Sequence, residues 1–229
     1  MNKVDQMWEI LNDIQVPEGL LCIPITGGLD SRVLAGIVRQ YREIDYSYFY
    51  FSEATENSVP YVVALMNRCK VKKYDLIKLD NSYRSDDAKQ EIVEKFPRLQ
   101  DYIYGCNHHG DILTGMAKSY KRERNYFLHE YEKQNQYQVD ITENKFKEIW
   151  KPWVNPRTVG FLMSYHRKDR IFQRTYIKMI NKYLPDLAEI PRCFETKGNP
   201  VNIDRGIVYY ILKRTWDKAV VKQPLGSKK

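Results

Sequence analysis

Val4, Met7, Trp8, Leu11 and Ile14 recur at helical spacing, so the first elements expected are an amphipathic helix and then a strand over 20–25, where the apolar residues become continuous. That run stops at Gly27 and Gly28 and restarts as Val33, Leu34, Ile37 and Val38, which predicts a strand, a tight turn and a second helix over 33–41. Further along, residues 46–51 read as a strand. A helix is expected over 58–69 on the stripe Val59, Val62, Val63 and Leu65, then a strand over 73–79. A helix over 86–96 ends before Pro97, and residues 102–105 make a fourth strand.

Strands separated by helix-length segments imply right-handed βαβ units and a parallel sheet. From Lys121 onward the pattern turns helical, over 127–135, 141–150, 158–165, 170–183 and 207–220, with interruptions at Pro152, Pro156, Pro185 and Pro191. The expected architecture is an α/β sheet half over residues 1–120. A helical half over 121–229 packs on the carboxyl edge of its strands, where ligands of open α/β sheets bind.

Candidate chemistry concentrates in the turn after the first strand. Gly27 and Gly28 carry no Cβ, so the backbone can turn sharply and bring its N–H groups close to an anion, with the positive end of the next helix behind them. Thr26 and Ser31 add hydroxyl donors, and Asp30 is an acceptor suited to a phosphate-bound Mg²⁺. Together these describe a pyrophosphate cradle. The competing reading is an ordinary glycine turn in which Asp30 and Ser31 only cap a helix.

The string TGGLDS resembles the S/T-G-G-x-D-S loop of the PP-loop ATP pyrophosphatases, and it is not a Walker A loop, having no Gly-Lys-Ser/Thr. Two further segments are similar to the asparagine-synthetase C-terminal domain. NHHGDILTG (107–115) resembles its second pyrophosphate motif, and LPDLAEIPRCFETKGNP (184–200), preceded by RIFQRTYIKMINKY, resembles the tail of shorter asparagine-synthetase-like proteins.

This resemblance implies a HUP-like, adenine nucleotide alpha hydrolase-like sheet and an enzyme that adenylates a substrate carboxylate with ATP, then forms an amide with ammonia or an amine. It implies a nucleotide site made of Thr26, Gly27, Gly28, Leu29, Asp30, Ser31, Arg32, Ser52 and Gly110, with Mg²⁺ held by Asp30 and Asp111. Arg32 matches an S-R variant of the motif in the shorter relatives and could equally face solvent. His108 reads as a phosphate donor beside the pyrophosphate, and Lys197 as a candidate for stabilising acyl transfer or as a solvated loop lysine.

Departures from the motif shape the expectation further. Ile112 stands where a glutamate normally follows the motif aspartate, and His108 replaces an acidic residue three positions before it, so aspartate is expected to be a poor acceptor. Residue 2 is Asn2 rather than a nucleophilic cysteine, so glutamine would serve only through a separate glutaminase.

At 229 residues with 43% hydrophobic composition, the chain can bury one compact core, which argues against disorder. Cys22, Cys69, Cys106 and Cys193 are widely spaced with no C-x-x-C pair, excluding a zinc ribbon or dithiol motif and predicting reduced core residues. His108 and His109 are adjacent and point apart in an extended segment, which disfavours a shared metal. No apolar run reaches the ~20 residues of a membrane span, so a cytoplasmic protein is expected.

The formal charge of +8 raises a nucleic-acid partner, because basic residues near Lys72, Lys121 and Arg170 alternate with tyrosines. An ATP site already draws on a positive cleft, and lysines also solubilise helix faces, so a nucleotide partner is preferred. The alternatives that remain are a tRNA-modifying PP-loop enzyme, and a protein that keeps the nucleotide site without catalysis.

Overall fold

The computed structural model describes residues 2–78, 99–105, 146–150, 152, 157, 161 and 174–191. Within them lie α1 (Lys3–Asn12), β1 (Leu21–Cys22), α2 (Leu29–Val38), β2 (Ile44–Phe51), α3 (Val59–Arg68), β3 (Val71–Lys78), β4 (Ile103–Gly105), β5 (Glu148–Trp150), α4 (Arg174–Tyr183) and α5 (Pro185–Ala188). Short 3-10 turns, Glu53–Ser58 and Leu99–Asp101, follow β2 and precede β4.

All five strands run parallel in the order β3-β2-β1-β4-β5. The α/β class with a parallel sheet is thus as expected. The order places β1 at the centre, with Cys22 level with Tyr46 of β2 on one side and Tyr104 of β4 on the other. Chain order reverses between β1 and β4, which makes the carboxyl end of β1 the topological switch point.

Period-two alternation decides which residues meet which face. Leu21, Ile23 and Ile25 point into the larger core with Phe49 and Phe51, where α1 to α5 bring Leu11, Leu34, Leu65, Ile180 and Leu187. Cys22, Tyr46, Tyr48 and Tyr104 share the other face with Ile77 and Leu99, and Tyr46 donates to Asp75 Oδ2 at 2.8 Å.

Local signals explain the helices. The Asn2 side chain accepts from the N–H groups of Val4 and Asp5, both at 3.0 Å, and so caps α1. Pro60 sits in the first turn of α3, where no intrahelical N–H partner is needed, and Val62, Leu65 and Met66 form its buried stripe. Trp8 of α1 stacks on Tyr183 of α4 with centroids 4.6 Å apart, and Asp5 accepts from Lys182 and the Tyr183 hydroxyl at 2.6 and 2.7 Å.

Two expectations need correction. Residues 148–150 are a strand and not the end of a helix over 141–150. The Lys147 N–H donates to Tyr102 O at 3.0 Å, and Ile103 pairs with Glu148, so the sheet draws its fifth strand from beyond residue 120. The helix expected over 33–41 begins four residues earlier, at Leu29, and carries Asp30, Ser31 and Arg32 in its first turn.

Of the helix expected over 158–165, Phe161 is helical; those over 86–96, 127–135 and 207–220 lie outside the described residues. Among the described residues, no helix is long and apolar enough to cross a membrane.

Close packing of α2 on α5 depends on Gly36. A Cβ there would sit 2.5 and 2.9 Å from the two Cδ atoms of Leu184 and 3.1 Å from Leu187 Cδ1. Gly36→Val is therefore expected to lower stability by about 1–3 kcal/mol through overpacking, despite the better helix propensity of valine. Denaturant unfolding of that variant checks it; an unchanged midpoint would show that α5 can back away freely.

Candidate functional site

After Cys22 the chain leaves the ladder with one more strand-like bond, from the Ile23 N–H to Tyr46 O at 3.1 Å, and then makes the turn that carries the motif. Gly27 adopts φ +74°, in the left-handed region where an L side chain is strained, and this turns the chain back over the end of β1. Gly28 is extended and serves as the N-cap of α2, with no side chain to bond the first-turn N–H groups. Those groups and the helix dipole are left facing the carboxyl end of the central strand.

Exposure picks out three residues. From Leu21 to Val38 everything is buried except Thr26, Gly28 and Asp30, each of which reaches the surface in part. The strand end, the helix cap and the first-turn carboxylate are thus the accessible points of an otherwise buried stretch.

Hydroxyls stitch the turn together. Ser31 Oγ accepts from the Thr26 N–H at 3.3 Å, lies 3.3 Å from Thr26 Oγ1 and donates to Gly28 O at 3.5 Å. The Gly28 N–H is 3.5 Å from Thr26 Oγ1, the outer limit of a hydrogen bond, so an anion could compete for it.

The expected site residues part company here. Thr26, Gly28 and Asp30 are the partly exposed residues of the turn, and Ser31, 1% exposed, is bonded to Thr26 and Gly28. Leu29 is buried in the core at 2% exposure, so its backbone alone faces the turn. Arg32 points inward. Its guanidinium is fully buried, donating from Nη1 to Leu187 O and Ile190 O and from Nη2 to Gly27 O and Pro191 O. Through these backbone carbonyls it braces the turn against residues 187–191. Ser52 follows β2 directly, on the same carboxyl edge one strand over, and its N–H donates to Thr55 Oγ1 at 2.9 Å. Asp111, His108, Gly110 and Lys197 lie outside the described residues.

Sequence reasoning missed Tyr176 of α4. Its phenol is 3% exposed and is held well above its ordinary pKa by burial first and then by the facing charge of Asp30. In RTYIKMI nothing separates such a tyrosine from a core aromatic. The acceptor carbonyls of residues 187–191 carry no side-chain signal at all, although the LPDLAEIP string that contains them was already conspicuous.

Asp45, at the start of β2, anchors the strand that leads into the site. Its carboxylate accepts from the Leu21 N–H and from Lys72 Nζ, each at 2.9 Å, and from Arg42 Nη2. Burial raises its pKa, but the Leu21 N–H, Lys72 and Arg42 outweigh that and hold it below the usual carboxylate value.

Cys22 and Cys69 are free and buried, as expected, and Cys106 and Cys193 lie outside the described residues. Burial pushes the Cys69 thiol up to about 12 and Cys22 well above its usual range, so neither is a nucleophile. Among the described residues, no three His, Cys, Asp or Glu side chains converge on a metal position. No protein-family model matches the sequence, and no curated protein matches it at a significant level.

Proposed function

We propose that this chain is a PP-loop ATP pyrophosphatase-type ligase, which adenylates a substrate carboxylate and then joins it to ammonia or an amine. What supports the reading is the placement of one motif: TGGLDS sits at the carboxyl end of the central strand of a parallel sheet, at its switch point, with Thr26, Gly28 and Asp30 open to the surface.

The donor set suits a triphosphate. Amides of the turn and of the α2 first turn would hold the β- and γ-phosphates, with the helix dipole adding to the attraction. Mg²⁺ commonly takes one or two carboxylates and fills its sphere with phosphate oxygens and water, so Asp30, together with Asp111 on the motif's implication, suffices to hold it. Bound there, the ion would screen the charge of the departing pyrophosphate. Ser52 and the backbone at the end of β2 would receive the adenosine. A substrate carboxylate oxygen attacks the α-phosphorus, the bond to the β-phosphate oxygen breaks, and pyrophosphate leaves. The amine nitrogen then attacks the acyl carbon of the adenylate and expels AMP, giving the amide. With ATP and Mg²⁺ as its requirements, the protein belongs in the cytoplasm.

Bond choice tests the reading. Incubation with ATP, Mg²⁺, pooled carboxylates and ammonium should give AMP and pyrophosphate in equal amounts. ADP and phosphate would reject the assignment. Product formed with pooled tRNA but with none of the carboxylates would move it to the tRNA-modifying class.

A further inference from the structure

We propose that Arg32 is a positioning residue that sets which face of the Gly27–Gly28 peptide meets the ligand, using residues 187–191 as its frame. The inference rests on the turn being the nucleotide site proposed above, and it names what holds that site in its anion-accepting shape.

Arg32 is the largest fully buried side chain of the α2 first turn, at 0% exposure. A buried guanidinium is tolerable only where its fixed fork of donors finds acceptors. Nη1 spends its two hydrogens on Leu187 O and Ile190 O, the latter at 2.6 Å. Nη2 reaches Pro191 O and Gly27 O, each at 3.2 Å. Three acceptors belong to the segment that closes α5, and one belongs to the first glycine of the motif. One rigid planar group therefore fixes the distance and orientation between parts of the chain that are 155 to 159 residues from it and a turn five residues from it.

The consequence for the turn follows from peptide geometry. A trans peptide points its C=O and the following N–H in opposite directions. With glycine on both sides of it, the Gly27–Gly28 peptide meets little steric resistance to flipping, because neither flanking residue has a Cβ. Arg32 holds the Gly27 oxygen inward, and this turns the Gly28 N–H outward, to the side of Thr26 Oγ1, where it is bonded only at the limiting 3.5 Å. The flipped peptide would present a carbonyl oxygen to an incoming phosphate and repel it.

A second tie runs from the same part of the chain. Tyr176 of α4 faces Asp30, two residues before Arg32, so the carboxylate and the peptide of the site are both referred to residues 176–191. Asp186 adds a third point, gripping Arg39 at the other end of α2 through two bonds of 2.6 Å.

Arg32→Lys keeps the charge and most of the volume, yet a single ammonium cannot span four carbonyls. Binding of Mg²⁺-ATP and of inorganic pyrophosphate to this variant should weaken by about 10- to 100-fold, the cost of one charge-assisted N–H contact. KM for the acceptor carboxylate should stay unchanged, and the backbone amide resonance of Gly28 should shift in the ligand-free protein. In Arg32→Ala, added guanidinium or methylguanidinium should restore binding by refilling the space.

Unchanged ATP and pyrophosphate affinity with an unmoved Gly28 amide, in folded Arg32→Lys, overturns the proposal. If Arg32→Ala does not fold, Arg32→Lys and Arg32→Gln carry the measurement. If the parent protein binds neither ATP nor pyrophosphate, the nucleotide reading fails by itself, and the Gly28 amide in Arg32→Lys still decides whether the arginine sets the peptide.

Discussion

Asp30→Ala is expected to abolish Mg²⁺-dependent formation of AMP and pyrophosphate while leaving the protein folded. The carboxylate lies in the first turn of α2, partly exposed at the end of the central strand, and the core is built without it. Its structural worth is the attraction of a negative charge to a helix N-terminus together with the buried Tyr176 phenol that it faces, so the loss in stability should be about 1–3 kcal/mol. Its worth to the proposed reaction is larger: charge stabilisation of a departing pyrophosphate contributes several kcal/mol, and losing it is expected to cost roughly 10³-fold or more in rate. Asp30→Asn keeps the shape and removes the charge, and should be as inactive as the alanine variant. Assays of AMP and pyrophosphate beside thermal unfolding check both halves. Full turnover in either variant would remove Asp30 from the machinery, and a collapsed fold would make it a structural residue. Asp111→Ala is expected to behave alike on the strength of the motif it belongs to.

The strand, turn and helix around the motif were legible because each is decided within a few residues: an apolar run, two glycines and a 3.6-residue stripe. What escaped was the registration of the helix. Apolar periodicity starts counting at Val33, whereas the helix starts at Leu29, directly after its cap Gly28, and this four-residue difference is what puts Asp30 and Arg32 in the first turn. β5 escaped for a related reason. Phe146, Ile149 and Trp150 fall at helical spacing, and a three-residue edge strand is too short to show alternation. Pairing with β4 decides its state, through contacts with residues more than forty positions away. The inward turn of Arg32 was out of reach for the same cause: its partners are backbone carbonyls, which every residue carries, and only the fold says which ones arrive.

Asp45→Ala should give the opposite result to Asp30→Ala, with much stability lost and little activity lost per folded molecule. Asp45 is 9% exposed and lies one strand from the site, but it holds the first residue of β1 through the Leu21 N–H while binding Arg42 and Lys72. Alanine leaves that buried N–H without its acceptor and removes two charge-assisted bonds, at an expected cost of about 2–3 kcal/mol, or roughly 5–10 °C in a domain of this size. The pH dependence carries the signature. Because the folded protein holds the Asp45 carboxyl below its ordinary pKa, its stabilisation is fully present above the unfolded value near 3.8 and is lost as pH falls through the lower folded value. Arg39 lowers the pKa of Asp186 in the same direction, chiefly by its hydrogen bonds, so some acid sensitivity remains in any Asp45 variant. Chemical unfolding of parent and Asp45→Asn from pH 7 to pH 3 should show a large gap that narrows below about pH 3.8, where the unfolded parent takes up an Asp45 proton that the folded protein still resists. A gap of constant size across that range would show that the Asp45 charge adds nothing and that only its shape holds the strand.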